Sequence, residues 1–220
     1  MKHLGTAMAA MAVWTPAGIA GASAATSRTM GFDDDADGAP PKRFTFARTG
    51  NGRDGKWVVL KKKEAPSRPN LLAQLDDDDT DDRFAIAVVA DAPLLDLKLS
   101  VRCKPMAGKV DRACGVVFRY RDAKNYYVAR ANALEDNIRL YHVKDGQRTQ
   151  IASWTGKVRA RRWHKLGIVA KGGAMQVHWD GKRVIGTRDA TFGAAGLWGV
   201  WTKADSVTYF DDLRASPIAP

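Results

Sequence analysis

The segment NYYVARANALEDNIRLYHVKDGQRTQ, Asn125 to Gln150, decides how the chain folds. A strand sends successive side chains to opposite faces, so residues of one parity within a run share a surface. On one side stand Tyr126, Arg130, Asn132, Asn137, Arg139, Tyr141, Arg148 and Gln150. On the other stand Tyr127, Ala129, Ala131, Ile138 and Leu140. The segment therefore reads as β-hairpins with one polar, aromatic face and one apolar face.

The register follows from the turns. A two-residue turn at Ala123-Lys124 sets Asp122 against Asn125, and then Phe118 against Ala129, Val117 against Arg130 and Arg119 against Val128. The loop Ala133 to Asp136 sets Asn132 against Asn137, Arg130 beside Arg139 and Val128 beside Tyr141. The Asp145-Gly146 pair reverses the chain again, which puts Arg148 and Gln150 on the polar side and Ile151 on the apolar side. Arg119, Arg130, Arg139 and Arg148 thus occupy neighbouring strands of one face. Like charges set opposite each other, as Arg130 and Arg139 are, destabilise a sheet by a few tenths to about 1 kcal/mol per pair. Glu135 and Asp136 in the capping loop supply a counter-charge, and so would a bound anion or sugar. Guanidinium forks and amides match hydroxyl and carboxylate pairs, and the rings of Tyr126 and Tyr141 offer stacking surfaces to a pyranose. The alternative is a solvated sheet face, although such faces mix Lys, Glu, Thr and Ser more evenly.

Outward from this block the same texture continues. From about residue 84 the chain is a series of short alternating runs, among them FAIAVVA, LLDLKLSVRC, WHKLGIVAK, AMQVHWD and VTYFDDLRA, with Gly172-Gly173 and Asp180-Gly181 as further turn pairs. No helical periodicity interrupts them. Ten or more strands at this spacing predict an all-β, two-sheet antiparallel jelly-roll sandwich. Residues 32 to 82 are less regular, with one strand expected at Lys56 to Lys61 and an acidic loop at Asp76 to Asp82. Tyr209, Asp211 and Leu213 alternate in a closing strand expected to pair with a first strand near Phe32.

Residues 1–24 stand apart. Lys2 and His3 precede a small-residue apolar run ending in Ala22-Ser23-Ala24, the pattern of a cleaved secretory signal. An uncleaved anchor is the alternative, but Pro16 and the Gly and Ala residues make the run weakly hydrophobic beside the roughly 20 apolar residues of a span. Residues 25–220 then form the jelly-roll domain, without a transmembrane segment and in a periplasmic or secreted setting.

The formal net charge is +11, which favours anionic partners. An exported protein seldom meets nucleic acid, so oligosaccharides and polysaccharides, acidic ones included, are the expected partners. Leu95, Leu97, Leu99 and Val101 alternate into the core and bring Cys103 to the same side, while Cys114 leads Val116, Phe118 and Tyr120 on the inward face of the next strand. A Cys103–Cys114 disulfide is expected in an oxidising compartment, with two buried free thiols as the alternative.

The block GVVFRYRDAKNYYVARANALEDNIRLYHVKDGQRTQ resembles the secreted concanavalin A-like (laminin G-like) jelly rolls related to the 3-keto-disaccharide hydrolase family. The motif elements are Arg119, then Asn125-Tyr126-Tyr127-Val128, Arg130-Ala131-Asn132, Glu135-Asp136-Asn137, Arg139-Leu140-Tyr141, and Gly146 with Arg148. Looser similarity extends through Trp57 and Val59 to the closing Phe210 to Arg214. The resemblance implies a sandwich whose concave sheet handles carbohydrate, with Arg119, Tyr126, Arg130, Asn132, Asp136, Asn137, Arg139, Tyr141 and Arg148 as ligand-binding residues. Glycosidases of this fold carry an E-x-D-x-x-E strand that is missing here.

Three functions remain open at this level. The first is glycan binding on the concave face. The second is a glycoside or 3-keto-glycoside hydrolase or lyase using Glu135, a chemistry that normally needs a second carboxyl group. His142, His164 and Tyr126 are the available bases for a lyase. The third is a basic cell-envelope scaffold adhering to anionic polymer. No cofactor is required for any of them. A structural calcium on the convex side, held by Asp211 with Asp33 or Asp34, follows from the resemblance. Trp163, Trp179, Trp198 and Trp201 serve either as a sugar platform or, more naturally, as core.

Overall fold

The computed structural model describes Met1 and residues 26–219, so the expected signal segment lies outside the described residues. Fifteen strands follow in chain order: β1 (Arg28–Met30), β2 (Phe44–Thr49), β3 (Trp57–Lys61), β4 (Asn70–Gln74), β5 (Phe84–Val89), β6 (Leu97–Ala107), β7 (Ala113–Asp122) and β8 (Asn125–Asn132). After these come β9 (Asn137–Lys144), β10 (Gln147–Thr155), β11 (His164–Lys171), β12 (Ala174–Trp179), β13 (Lys182–Arg188), β14 (Leu197–Lys203) and β15 (Val207–Pro217). They form two antiparallel sheets. One is ordered β13-β12-β11-β6-β15-β4-β3 with β1 added beside β15, and the other β10-β9-β8-β7-β14-β5-β2. The expected all-β sandwich is therefore the fold.

The sheets pack because each inward parity is apolar. Leu97, Leu99 and Val101 of the eight-stranded sheet meet Val116, Phe118, Ala129, Ile138 and Leu140 of the seven-stranded one, with Trp179, Trp198 and Phe210 filling the middle. Leu95 is not among them. It is exposed ahead of β6, and Leu94 takes the core position. Cys103 and Cys114 are joined, with Cα atoms 6.2 Å apart. Because β6 and β7 lie in different sheets, the bond pins one sheet to the other rather than linking partners within a sheet. Closing a loop of this length stabilises by about 3 kcal/mol on the chain-entropy account. The Cys103→Ser/Cys114→Ser protein should therefore lose about 2–4 kcal/mol in urea denaturation, with its far-ultraviolet spectrum retained.

Two strands escaped the sequence reading. β4 is buried along its whole length, because Val58, Leu71, Ala73 and Ala65 make a small cluster on its outer side, and burial on both faces erases the alternation. β2 is an edge strand paired only to β5. The closing strand does pair with the first, although the contact runs Arg28 to Met30 against Ala215 to Leu213 rather than at Phe32. A bulge between Asp211 and Arg214, with Asp212 at φ 49°, puts Phe210 and Leu213 in the core and turns Tyr209 to the opposite cluster.

Candidate functional site

The hairpin array sits in the seven-stranded sheet, and its outer face is where the polar block lies. The β8–β9 register is as expected, with Arg130 opposite Arg139, Val128 opposite Tyr141 and Asn132 opposite Asn137. The β7–β8 register is not. Asp122 does oppose Asn125, but Phe118 meets Tyr127, Val117 meets Val128 and Gly115 meets Arg130. The cause is a bulge: residues 119–121 stand against Tyr126 alone, and Arg119 adopts φ 47°. Its effect is to exchange two side chains between faces. Tyr120 turns outward onto Tyr126, with ring centroids 5.9 Å apart, and Arg119 turns inward.

Arg119 is 1% exposed. Its guanidinium donates to the carbonyls of Leu95 (3.0 Å), Phe192 (2.9 Å) and Gly172 (2.7 Å) and pairs with Asp96 at 3.4 Å. It ties three loops together at one end of the sandwich and does not belong to the polar face.

The outer face is curled over itself. Thr49 of β2 reaches across three intervening strands to the hydroxyl of Tyr126 (2.8 Å) and to the carbonyl of Ala123. Arg148 of β10 lies over the ring of Phe84 on β5 (4.6 Å) and over Tyr141 (4.7 Å). Trp201 stacks on Phe84 at 5.4 Å and lies flat because its neighbour in the row is Gly115, where a Cβ would come within 3.0 Å of the indole. The hollow is thus filled by the protein's own aromatic rings and arginines. Tyr126 is buried, which pushes its hydroxyl to about 12, and Tyr141 is buried with its ring already used by guanidinium groups. Neither ring is free for a pyranose, contrary to the expectation from spacing alone.

One charged cluster reaches the rim. Glu135, 38% exposed, accepts from Arg130 (2.9 Å) and from the Asn137 amide (2.8 Å), and pairs with Arg139 at 3.4 Å. Arg130 is 2% exposed and also bonds Asn137 and the Tyr141 hydroxyl. The like charges of Arg130 and Arg139 are therefore compensated by Glu135, which sits between them. Asn132 is buried beneath, donating to Asp111 (2.9 Å) and accepting from the Leu134 amide (2.8 Å), which fixes the loop carrying Glu135. Asp136, the residue after it, turns away at φ 50° and holds Lys157 (2.8 Å) and the Val158 amide (3.0 Å). It does not join the cluster.

Partial burial raises the Glu135 carboxyl, but the bonds from Asn137 and Arg130 and the two positive charges outweigh it, so the carboxyl lies below its ordinary value. A depressed carboxyl contributes stability that is complete above the unfolded value of 4.5 and is lost as pH falls through the lower folded value. Ligand binding that uses this carboxylate as an acceptor should accordingly be flat from pH 8 to 5 and weaken only in more acidic solution. Titration calorimetry across that range checks it.

As an acid–base device the cluster is poorly suited. A second carboxyl beneath the cluster, Asp111, is raised by burial, but it is 1% exposed and faces Lys203 at 3.1 Å. A substrate has no route to it. His164 is spent on Asp180 (2.7 Å) and the Arg159 carbonyl (3.0 Å), and His142 lies between Asp189 and Thr191. Asp111, Lys203 and Gly115 were not singled out from the sequence, and Trp201 only as a platform or core residue. Lys203 and Trp201 lie in the alternating run GLWGVWTK, where the face of each depends on strand order.

Among the described residues no three His, Cys, Asp or Glu side chains gather in a way that suits a metal ion. Asp211 accepts from the Ser67 amide (2.8 Å), the Ser67 hydroxyl (2.9 Å) and the Asp212 amide (2.7 Å). Burial lifts its carboxyl to about 6 despite those bonds. Asp33 accepts from the Asn70 amide at 2.9 Å. Calcium takes several oxygens left free by the protein, and Asp211, both of whose oxygens already accept from Ser67 or Asp212, does not fit it. Trp179, Trp198 and Trp201 are buried, so these three form no platform, and Trp163 packs partly buried against the outer cluster of Val58, Leu71 and Ala73 with its indole N–H on the Glu64 carbonyl.

No protein-family model matches the chain, and no curated protein matches it significantly. Solved structures do. A carbohydrate-binding module, CBM66, from Bacillus subtilis is similar with a TM-score of 0.63 at 20% identity, covering 82% of this chain and 99% of that one. The exoplasmic/lumenal domain of VIP36 in a Ca2+/mannose-bound form is similar with a TM-score of 0.61 at 13% identity, covering 89% and 91%. A Bacillus subtilis protein of unknown function with a galectin-like fold gives 0.55 at 9% identity, covering 79% and 89%. These likenesses define the fold as the lectin-type jelly roll. Among the described residues no helix is long and apolar enough to cross a membrane.

Proposed function

We propose that this protein is an exported carbohydrate-binding jelly roll that recognises a glycan at the rim of its seven-stranded sheet. The observation that carries this is the Glu135 carboxylate, exposed at its outer edge and fixed from below by Arg130 and Asn137. Beside it lies Arg139, 34% exposed. A carboxylate and a guanidinium held side by side accept from and donate to neighbouring sugar hydroxyls with little ordering cost. Glu135, Arg139 and the outer edges of Asn137 and Arg148 make the contacts, while Arg130, Asn132 and Tyr141 position them. The carbohydrate-binding and mannose-bound neighbours support the partner class, and the disulfide supports export. Within the resemblance to the 3-keto-disaccharide hydrolase relatives, this chain is read as a binder, since Glu135 is held ionised and lacks an accessible second carboxyl group.

A glycan array at two ionic strengths tests it. A selective signal that survives higher salt and drops at least tenfold in Glu135→Gln and Arg139→Ala is expected. Signal that collapses with salt and ignores both substitutions would favour the adhesive scaffold, and release of reducing sugar abolished by Glu135→Gln would favour the hydrolase.

A further inference from the structure

The outer face of the other sheet carries a second recess that glycan binding at the rim does not use. The strand registers set Arg183, His178, Gly167, Ser100, Arg214 and Thr29 in one row across β13, β12, β11, β6, β15 and β1. Two neighbours in the middle of that row, Gly167 and Ser100, are small, and the floor they leave is part of a cavity of about 440 Å³. Lys98 stands on one flank, and Lys165 with Arg102 on the other, where the two are paired. Along β6 those flanks are four residues apart, about 13 Å at the backbone. Both lysines, Arg183 and Arg214 are exposed.

The charge of this trough is not neutralised. Asp212 is shared by Arg102 (3.5 Å) and Arg214 (2.8 Å), and Asp180 is engaged by His164 and the Lys165 amide. Among the described residues Arg28, Lys98, Lys165 and Arg183 have no ion-pair partner, and the imidazole Nε2 of His178 is buried without a hydrogen-bond partner. A recessed floor between two cationic flanks suits an extended chain bearing repeated anionic groups. A membrane surface would instead call for exposed apolar side chains, but Phe46, Leu95, Val110 and Leu134 lie outside this sheet face. Single-stranded nucleic acid would call for aromatic stacking surfaces, and the row has none besides His178.

We propose that this trough is a separate binding site for an acidic polysaccharide, whose carboxylates pair with Lys98, Lys165, Arg28 and Arg183 while the sugar backbone lies over Ser100 and Gly167. The site is independent of the rim of the seven-stranded sheet. It gives the strongly basic composition a located purpose.

Oligogalacturonate, with a neutral malto-oligosaccharide of equal length as control, is the probe for titration calorimetry on the whole protein at low and moderate salt. Binding of the acidic oligomer alone is expected, weakening as salt rises. The Lys98→Ala/Lys165→Ala variant should weaken it by about tenfold, in keeping with the loss of two exposed charge pairs. Gly167→Leu should abolish it. A Cβ at Gly167 would lie 3.5 Å from the Leu99 carbonyl and 3.7 Å from the His178 Cβ, ordinary contact, so the sheet tolerates a side chain that fills the trough. Arg139→Ala, at the rim, should leave oligogalacturonate binding unchanged. Failure of the wild type to bind, indifference to both trough variants, loss in Arg139→Ala, or tighter binding to phosphatidylglycerol vesicles or to single-stranded DNA would each overturn the proposal.

Discussion

Replacing Arg119 by Ala should lower stability by about 3–5 kcal/mol, the range for removing one partner of a buried, hydrogen-bonded charge, while leaving rim glycan affinity within about twofold. The guanidinium satisfies the carbonyls of Leu95, Phe192 and Gly172 and pairs with Asp96. Truncation strands the buried Phe192 carbonyl and removes the donor that ties the part-exposed Leu95 and Gly172 carbonyls and Asp96 together. Arg119→Lys should rescue little, since one ammonium cannot reproduce a planar fork with three separate acceptors. Urea denaturation gives the first quantity and calorimetry below the transition gives the second. A stable Arg119→Ala protein with lost glycan binding would return Arg119 to the recognition face.

Arg130→Ala is expected to behave differently, costing both stability and affinity. Arg130 is buried under Glu135 and touches Asn137 and Tyr141 as well. Because Glu135 keeps access to solvent, screening reduces the cost below that of a sealed pair, to about 2–3 kcal/mol. The released carboxylate loses its fixed direction, and glycan affinity should fall by at least tenfold. The Glu135 carboxyl should also move up toward its ordinary value, which a side-chain carbon NMR titration reads directly. Unchanged affinity together with a raised carboxyl would mean that the cluster is structural only.

These two arginines show where sequence reasoning succeeds and where it stops. Arg130 has the β9 neighbour expected of it, Arg139, because the loop Ala133 to Asp136 and the apolar parity of Ile138 and Leu140 fix the β8–β9 register together, whereas on the β7 side it meets Gly115 instead of Val117. Arg119 was misplaced because the turn at Ala123-Lys124 fixes the end of the β7–β8 pair but not the bulge just beyond it. No glycine or proline marks that bulge. Its determinants are the Leu95, Gly172 and Phe192 carbonyls, which come from distant parts of the chain. The same failure recurs at Asp212, where a second bulge reverses the parity of Tyr209 and Leu213.

The curl of the seven-stranded sheet was equally invisible. Alternation places Tyr126, Tyr141 and Arg148 on one face, as observed, yet it does not reveal that Thr49 and Phe84 arrive from the far edge to occupy their polar and aromatic surfaces. A face can be chosen for recognition by its residue types and still be largely consumed by its own packing. What survives for a ligand is the part that a loop lifts to the rim, namely Glu135 and Arg139. The disulfide was legible as a pair from the parity of Cys103 and Cys114, and its role as a tie between sheets depended on knowing that β6 and β7 part company.

The account rests on the rim of the seven-stranded sheet being the place where sugar is held. The direct measurement is amide chemical-shift mapping with a neutral oligosaccharide that the wild-type protein selects from the array. The largest perturbations should fall on Leu134 to Tyr141 and on the segment around Arg148, with the strands β11 to β13 unmoved. Perturbations centred on the eight-stranded sheet, or none at saturating sugar, would contradict it.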